Sequence, residues 1–133
     1  MQVNLHHLAI IMDGNRRWAH SHGFEVLKGH HKGADTLEAI SRAALDQKIK
    51  WLTVFAFSSE NWQRPATEVK GLMSLMKRFI LTRSKELIDN NIRLRIIGRR
   101  DRFSDDFQDA IDDVEKSSAM NTGLNLTVAL DYG

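Results

Sequence analysis

The chain has 133 residues, of which 42% are apolar and 27% are charged, and it contains no cysteine. This length predicts a single domain, and this composition excludes both a disordered chain and a membrane-spanning one. The net charge of +2 is too small to indicate nucleic-acid binding by itself, and the lack of cysteine excludes disulfides and thiolate metal sites.

The first strong signal along the chain is residues 8–19, LAIIMDGNRRWA. The apolar run 8–12 predicts a strand covered on both faces, and the turn formers Asp13, Gly14 and Asn15 end it before a helix that starts at Arg16. A strand, a glycine turn and a helix start at the edge of a sheet favour an anion site. Asp13 offers the oxygen ligand that Mg²⁺ takes when it bridges to phosphates. The alternative is an ordinary turn with solvated arginines.

The next segment, residues 24–32, is predicted to be a loop, and residues 33–48 are predicted to form a helix because apolar residues recur at helical spacing. His30 follows Gly29 just before the predicted helix start. It is therefore placed to donate to a phosphate, or it is simply solvated.

Residues 51–57, WLTVFAF, predict a second buried strand, and the polar loop SSENWQRP at 58–65 follows it. The loop should lie at the same edge of the sheet as Asp13, where ligands of open α/β sheets bind. Arg64 suits phosphate oxygens because its guanidinium is a bidentate donor. Trp62 either lines a site or caps the core.

A long helical region is predicted over residues 66–90, with an apolar stripe on one side. That stripe is either a core face or a groove for a lipid chain, for which two methionines are suited. A third strand over 92–98, a helix over 105–118 capped by Ser104 and a fourth strand over 124–132 complete the pattern. Because strands alternate with helices, we expect a parallel sheet with right-handed crossovers.

Residues 105–109 read DDFQD, the string that binds Mg²⁺-diphosphate in all-helical trans-type prenyl synthases. The surrounding pattern here is α/β, and the acids follow a helix cap, where they complement the helix dipole. We therefore interpret this motif as structural.

The motifs IMDGNRRWA, Gly29–His30, FSSENWQRP, RLRIIG and NTGLNLTVALDYG closely resemble the N-terminal half of the cis-prenyltransferase family. Within that family the likeness is to bacterial undecaprenyl diphosphate synthases, also called isoprenyl transferases. The resemblance implies an α/β domain over residues 1–133, with a parallel sheet flanked by helices and cut off after about the fourth strand.

By this resemblance, the protein condenses isopentenyl diphosphate onto farnesyl diphosphate with Z double bonds and with Mg²⁺. The product is a polyprenyl diphosphate, which serves as a lipid carrier in cell-wall synthesis. The resemblance further implies a homodimer at full family length and a cytoplasmic location with peripheral contact at the inner face of the membrane.

The resemblance also assigns site residues. Asp13 is implied as the catalytic metal ligand, and Asn61 matches a position often described as the proton acceptor. Because a neutral amide is a very weak base, we expect Asn61 to orient substrate or to relay a proton to diphosphate. The implied substrate-binding residues are Gly14, Asn15, Arg16, Arg17, Trp18, His30, Ser58, Ser59, Glu60, Trp62 and Arg64.

Two departures from the family pattern stand out. Val26 occupies a position where the family usually has an arginine, although Lys28 is nearby. The family also continues for about as much chain again, and the absent part carries the isopentenyl diphosphate site. The 133-residue chain is therefore expected to be inactive alone. The alternatives are a non-catalytic module that binds allylic diphosphate or lipid, and a nucleic-acid binder suggested by the arginines at 93–102, although we expect no nucleic-acid partner.

Overall fold

A computed structural model describes residues 4–133 of the chain as a four-stranded parallel sheet with helices packed against it. The strands are β1 (His7–Ile11), β2 (Trp51–Ser58), β3 (Ile92–Ile97) and β4 (Leu124–Tyr132). They lie in the order β1-β2-β4-β3, and Leu52, Leu126 and Leu94 are in register across the three strands β2, β4 and β3. The predicted α/β class and the parallel sheet flanked by helices are confirmed.

The helices are α1 (Asn15–Ser21), α2 (Val26–Asp46), α3 (Ala66–Arg78), α4 (Ser84–Asp89) and α5 (Asp105–Ser117). A 3₁₀ turn, Ser59–Gln63, follows β2, and a π-helical turn, Phe79–Arg83, joins α3 to α4. The long helical region predicted for 66–90 is thus continuous but contains one widened turn. Ser104 caps α5 as predicted, since its hydroxyl accepts the Phe107 N–H at 3.3 Å.

The core lies between one face of the sheet and the helices. Buried residues alternate with more exposed ones along β3 and most of β2, as expected when one face is covered, whereas the four consecutive residues 128–131 of β4 are all buried. Phe107, Ile111 and Val114 of α5 are buried, as their helical spacing predicted. The largest buried apolar side chains contributed by the sheet are Leu52, Val54, Phe57, Ile92, Leu94, Ile96, Leu124, Leu126, Val128 and Leu130.

The other face of β1 and β2 is largely exposed, which corrects the prediction for these two strands. β1 is an edge strand in which burial alternates, and the Ile11 side chain is 75% exposed rather than covered. Trp51 and Phe55 of β2 are exposed on the same face, so β2 is also covered on one side only. The continuous apolar runs indicated burial on two faces, whereas the described residues supply a layer for only one.

The predicted loop at 24–32 is also wrong, because α2 already begins at Val26. Glycines usually weaken a helix, and α2 contains two of them, Gly29 in the predicted loop and Gly33 at the predicted helix start. Here they allow α2 to pack closely on α1: a Cβ at Gly29 would stand 2.1 Å from the Asn15 carbonyl oxygen. At Gly33 a Cβ would stand 2.7 Å from Asn15 Nδ2. Tertiary packing thus overrides the low helix propensity.

Candidate functional site

The turn after β1 places a carboxylate at the carboxyl edge of the sheet. Gly14 adopts a left-handed conformation with φ of 85°, which glycine accepts without a steric penalty. Its N–H donates to Asp13 Oδ1 at 2.7 Å, and Arg17 Nη2 lies 3.7 Å from Asp13 Oδ2. The Asp13 side chain remains 78% exposed, so its oxygens are accessible to a ligand.

Three cationic or ionisable groups from separate elements meet at one buried carboxylate, Glu68. His30 Nε2 lies 3.1 Å from Glu68 Oε1, Arg64 Nη1 lies 3.3 Å from the same oxygen, and Arg16 Nη1 lies 3.9 Å from Oε2. The Glu68 side chain is only 7% exposed. A buried carboxylate needs such partners to offset its desolvation. Glu68 therefore holds these groups near one another.

Glu68 is not among the site residues predicted from the sequence. Two signals point to it: it lies four residues after Arg64, and it is an acid beside an apolar stripe. The structure also shows that His30 lies within α2, one turn from its start, and not in a loop before a helix.

His30 is held in its neutral form by its surroundings. Burial lowers the pKa of His30, the hydrogen bond and charge of Glu68 raise it, and Arg64 and Arg16 lower it further, so the net pKa lies below the ordinary value. Because an ionised carboxylate only accepts, Nε2 donates to Glu68, and in the neutral ring Nδ1 is an acceptor. His30 can therefore donate from both nitrogens only after it takes up a proton.

This lowered pKa predicts a pH-dependent stability. Between the folded pKa and the unfolded value of about 6.5, the unfolded state binds more protons, so stability rises with pH. The contribution of His30 should be present above about pH 6.5 and be lost as the pH falls through its folded pKa. We expect the urea midpoint of the wild-type chain to fall over this window, and that of His30→Gln, which keeps a neutral donor, to fall less. Identical pH profiles for the two chains would contradict the assignment.

The polar groups form the mouth of a cavity of about 270 Å³. A single water needs only about 10–15 Å³, so this cavity is large enough for an organic ligand. The polar part of its wall is formed by Asp13, Gly14, Asn15, Arg16, Arg17, His30, Asn61 and Arg64. The apolar part is formed by Met12, Ala34, Leu37, Ala56, Leu72, Leu75, Met76, Phe79, Ile80, Leu94, Ile96, Val128 and Leu130.

Part of the apolar stripe over residues 69–80 therefore lines this cavity as well as the core. Leu72, Met76, Phe79 and Ile80 line the wall, while Val69 and Met73 do not. The stripe thus forms part of the core and also part of the apolar wall of the cavity. A groove for a lipid chain stays a prediction.

The 3₁₀ turn after β2 presents only part of the predicted loop to the cavity. Asn61 lines the wall, its Oδ1 accepts the Ser58 N–H at 3.0 Å, and its amide NH₂ makes no hydrogen bond to the described residues. Trp62 packs edge-on against Phe57, with ring centroids 5.3 Å apart, and so helps to close the core. The Ser59 hydroxyl donates to Asp131 Oδ1 at 3.0 Å.

The structure thus brings eight of the predicted site residues to one cavity, and the other five are not part of its described wall. Trp18 stacks on His22 with centroids 4.5 Å apart, and Lys28 Nζ lies 3.7 Å from the centre of the Phe24 ring. Lys28 is not part of the cavity wall, and Val26 is the first residue of α2. The five predicted residues that are not part of this wall are Trp18, Ser58, Ser59, Glu60 and Trp62.

Within residues 4–133, no three His, Asp or Glu side chains are grouped to hold a metal ion. Asp13 is a lone, accessible carboxylate beside arginines, which suits Mg²⁺, because Mg²⁺ commonly uses one or two carboxylates together with substrate phosphates and waters. In the same range, no helix has the length and apolar character needed to cross a bilayer.

Fold and site together define a parallel α/β protein with a cavity that is polar at its mouth and apolar inside. The family model for undecaprenyl diphosphate synthase matches residues 11–133, and the chain belongs to this prenyltransferase family. Isoprenyl transferases from Brucella suis and Aquifex pyrophilus are 47% and 45% identical over 127 residues, which are 96% of this chain. These residues span only 50% and 55% of those relatives, so the chain covers about half of their length.

Two solved structures show the same fold. Lavandulyl diphosphate synthase from Lavandula x intermedia, in complex with dimethylallyl diphosphate, is 37% identical with a TM-score of 0.92, over 96% of this chain and 55% of that one. A probable undecaprenyl diphosphate synthase from Campylobacter jejuni is 30% identical with a TM-score of 0.79, over 99% and 57% of the two chains.

Proposed function

We propose that this chain forms the allylic-diphosphate-binding half of an isoprenyl transferase, which condenses isopentenyl diphosphate onto farnesyl diphosphate with Z double bonds. The observation that carries the proposal is a single cavity with arginines at its mouth and an apolar interior. A prenyl diphosphate has the same division into anionic head and apolar chain. Dimethylallyl diphosphate bound to the lavandulyl diphosphate synthase supports this ligand class.

The chemistry of the site suits the loss of diphosphate from an allylic carbon. Negative charge then develops on the leaving group, and fixed cations near it stabilise that charge. Arg16, Arg17 and Arg64 line the mouth and supply such donors. Mg²⁺ held by Asp13 would neutralise further charge on the phosphates.

Asn61 and His30 have more limited roles in this proposal. Asn61 offers an amide N–H to the substrate, because its carbonyl oxygen is already bound to the Ser58 N–H. This fits orientation of the substrate better than proton abstraction. His30 keeps its Nε2 proton on Glu68 and donates to diphosphate from Nδ1 only when protonated.

The nucleic-acid alternative is weakened by the partners of the arginine cluster. Arg99 pairs with Asp101 at 2.7 Å, Arg100 with Glu115 at 2.7 Å, and Arg102 with Asp131 at 2.7 Å. Three of these arginines are thus balanced by acids and do not form an open basic patch for phosphates. The non-catalytic binding module remains the second candidate, because the chain spans half of its relatives.

The homodimer, the cytoplasmic location, peripheral membrane contact and the role of the product as a cell-wall lipid carrier stay predictions from the resemblance. The direct test of the proposal is binding of farnesyl diphosphate to the purified chain with Mg²⁺, followed by elongation with labelled isopentenyl diphosphate. We expect weak binding and little long-chain product, because condensation needs both substrates held together. Absence of binding would reject the proposal, and abundant product would show that this half suffices.

Arg64→Ala should weaken farnesyl diphosphate binding by about tenfold or more, since a charge-assisted hydrogen bond contributes roughly 1.5–3 kcal/mol. Arg42→Ala is the matched control: Arg42 pairs with Glu38 at 3.2 Å as Arg64 pairs with Glu68 at 3.3 Å, both four residues apart, but it lies outside the cavity wall. Calorimetry measures both affinities. Equal losses in the two variants would contradict the placement of Arg64 at the mouth.

A further inference from the structure

Asp131 is a buried acid at the end of β4 that the proposed reaction does not use. Its side chain is 0% exposed, although it is a charged residue within a largely apolar strand. The Arg102 guanidinium donates two hydrogen bonds to the Asp131 carboxylate, from Nε to Oδ2 at 2.8 Å and from Nη2 to Oδ1 at 2.7 Å. The Ser59 hydroxyl donates a third to Oδ1 at 3.0 Å.

The backbone of Asp131 supports the view that these contacts fix its position. Its φ of 55° lies in the left-handed region, which is costly for a residue other than glycine and persists where surrounding contacts hold it. The Asp131 carbonyl oxygen also accepts the Arg99 N–H at 3.1 Å. Burial raises the pKa of Asp131, but the hydrogen bonds from Arg102 and Ser59 outweigh it, so the carboxylate stays ionised at neutral pH.

Asp131 and Arg102 each contact a residue of the 3₁₀ turn. Ser59 is the first residue of the turn, and the Arg102 guanidinium lies 5.3 Å from the centre of the Trp62 ring within it. Between them lies Asn61, which lines the cavity, while Arg102 and Asp131 are not part of its described wall. The pair is thus placed to act on the cavity through the turn and not by touching a ligand.

We propose that Arg102 and Asp131 are positioning residues, which set the 3₁₀ turn so that Asn61 meets an allylic diphosphate bound in the cavity. This inference rests on the proposed function for its ligand. The bidentate geometry matters because a guanidinium fork fixes direction as well as charge, whereas a lysine supplies only a point charge. Asp131 would in addition fix Leu130, its neighbour in the chain, which forms part of the apolar wall.

The test compares Arg102→Lys with Arg100→Lys in the 133-residue chain. Arg100 is a matched control, because it lies in the same turn and pairs with Asp112 at 3.1 Å and Glu115 at 2.7 Å, but makes no described contact with the 3₁₀ turn. One readout is the calorimetric affinity for dimethylallyl diphosphate with Mg²⁺. The other is the ¹⁹F NMR signal of Trp62 in 5-fluorotryptophan-labelled chain, assigned with Trp62→Phe.

Arg102→Lys and Asp131→Asn should each move the Trp62 signal and weaken dimethylallyl diphosphate binding by about fivefold or more, whereas Arg100→Lys should change neither. A chain with lower stability but unchanged affinity would show that the pair is structural only, which would overturn the proposal. If the wild-type chain does not bind the ligand, the proposed function fails. In that case the ¹⁹F signal still tests whether Arg102 positions the 3₁₀ turn. An unmoved Trp62 resonance in Arg102→Lys would reject that role.

Discussion

Asp13→Ala should abolish the increase in farnesyl diphosphate affinity that Mg²⁺ gives the wild-type chain, a loss of about tenfold or more, equivalent to about 1.4 kcal/mol. The reason is that Asp13 is the accessible carboxylate at the mouth of the cavity. Asp13 is the only Asp or Glu among the described wall residues, and the neighbouring Glu68 is buried and already paired with arginines, so without Asp13 the wall offers no carboxylate to a metal ion on the diphosphate. Calorimetry with Mg²⁺ and with a chelator measures the effect.

Asp106→Ala is the control for this prediction. The Asp106 side chain is 83% exposed and lies 3.7 Å from Lys77, much as Asp13 is 78% exposed and lies 3.7 Å from Arg17. Asp106 belongs to the DDFQD string that the sequence analysis interpreted as structural. If Asp106→Ala removed the Mg²⁺ effect and Asp13→Ala kept it, the assignment of Asp13 as the metal ligand and of the DDFQD string as structural would be wrong.

Gly29→Ala should destabilise the fold strongly and weaken ligand binding together. The new Cβ would stand 2.1 Å from the Asn15 carbonyl oxygen and 3.1 Å from the Ala19 Cβ, so α1 must move away from α2. Overpacking costs roughly 1–3 kcal/mol or more, and the gain of about 1 kcal/mol in helix propensity offsets only part of it. We expect the midpoint of thermal unfolding to fall by about 5 °C or more. Because α1 carries Arg16 and Arg17, farnesyl diphosphate affinity should fall as well.

Gly71→Ala is the control for this prediction. It tests whether the loss of stability comes from a clash with backbone or from any crowded helical glycine. Gly71 is also a helical glycine with a close neighbour, but its Cβ would meet the Leu27 side chain, 2.4 Å away, which can change rotamer. Its midpoint should fall less than that of Gly29→Ala. Should Gly29→Ala unfold at the wild-type temperature, the close packing of α1 on α2 would be disproved.

The sequence predicted most elements of this fold because their signals are local. Ser104 before an acidic first turn predicted the start of α5, and β-branched and aromatic runs predicted the strands. The start of α2 was missed because its glycines reflect a contact with Asn15 that is distant in sequence. Coverage of Ile11 was mispredicted for a similar reason, since an apolar run does not tell how many layers face it.

For the site, the turn after β1 and the loop after β2 could be predicted to share one edge because parallel strands bring their carboxyl ends together. The partners of the charged groups could not be predicted from the sequence. Glu68 meets His30, 38 residues away in the chain, and Asp131 meets Ser59, 72 residues away. Such pairs depend on side-chain placement in three dimensions, which motif spacing does not encode.

We expect the buried carboxylate of Glu68 to make the mouth of the cavity selective among ligands. Arg16, His30 and Arg64 already share one negative charge, so an incoming anion must compete with an internal one. An uncharged prenyl alcohol brings no charge to that exchange, whereas a diphosphate brings more charge and more acceptor oxygens than Glu68 offers. Because discrimination is a difference between affinities, we expect this internal competitor to favour prenyl diphosphates over prenyl alcohols.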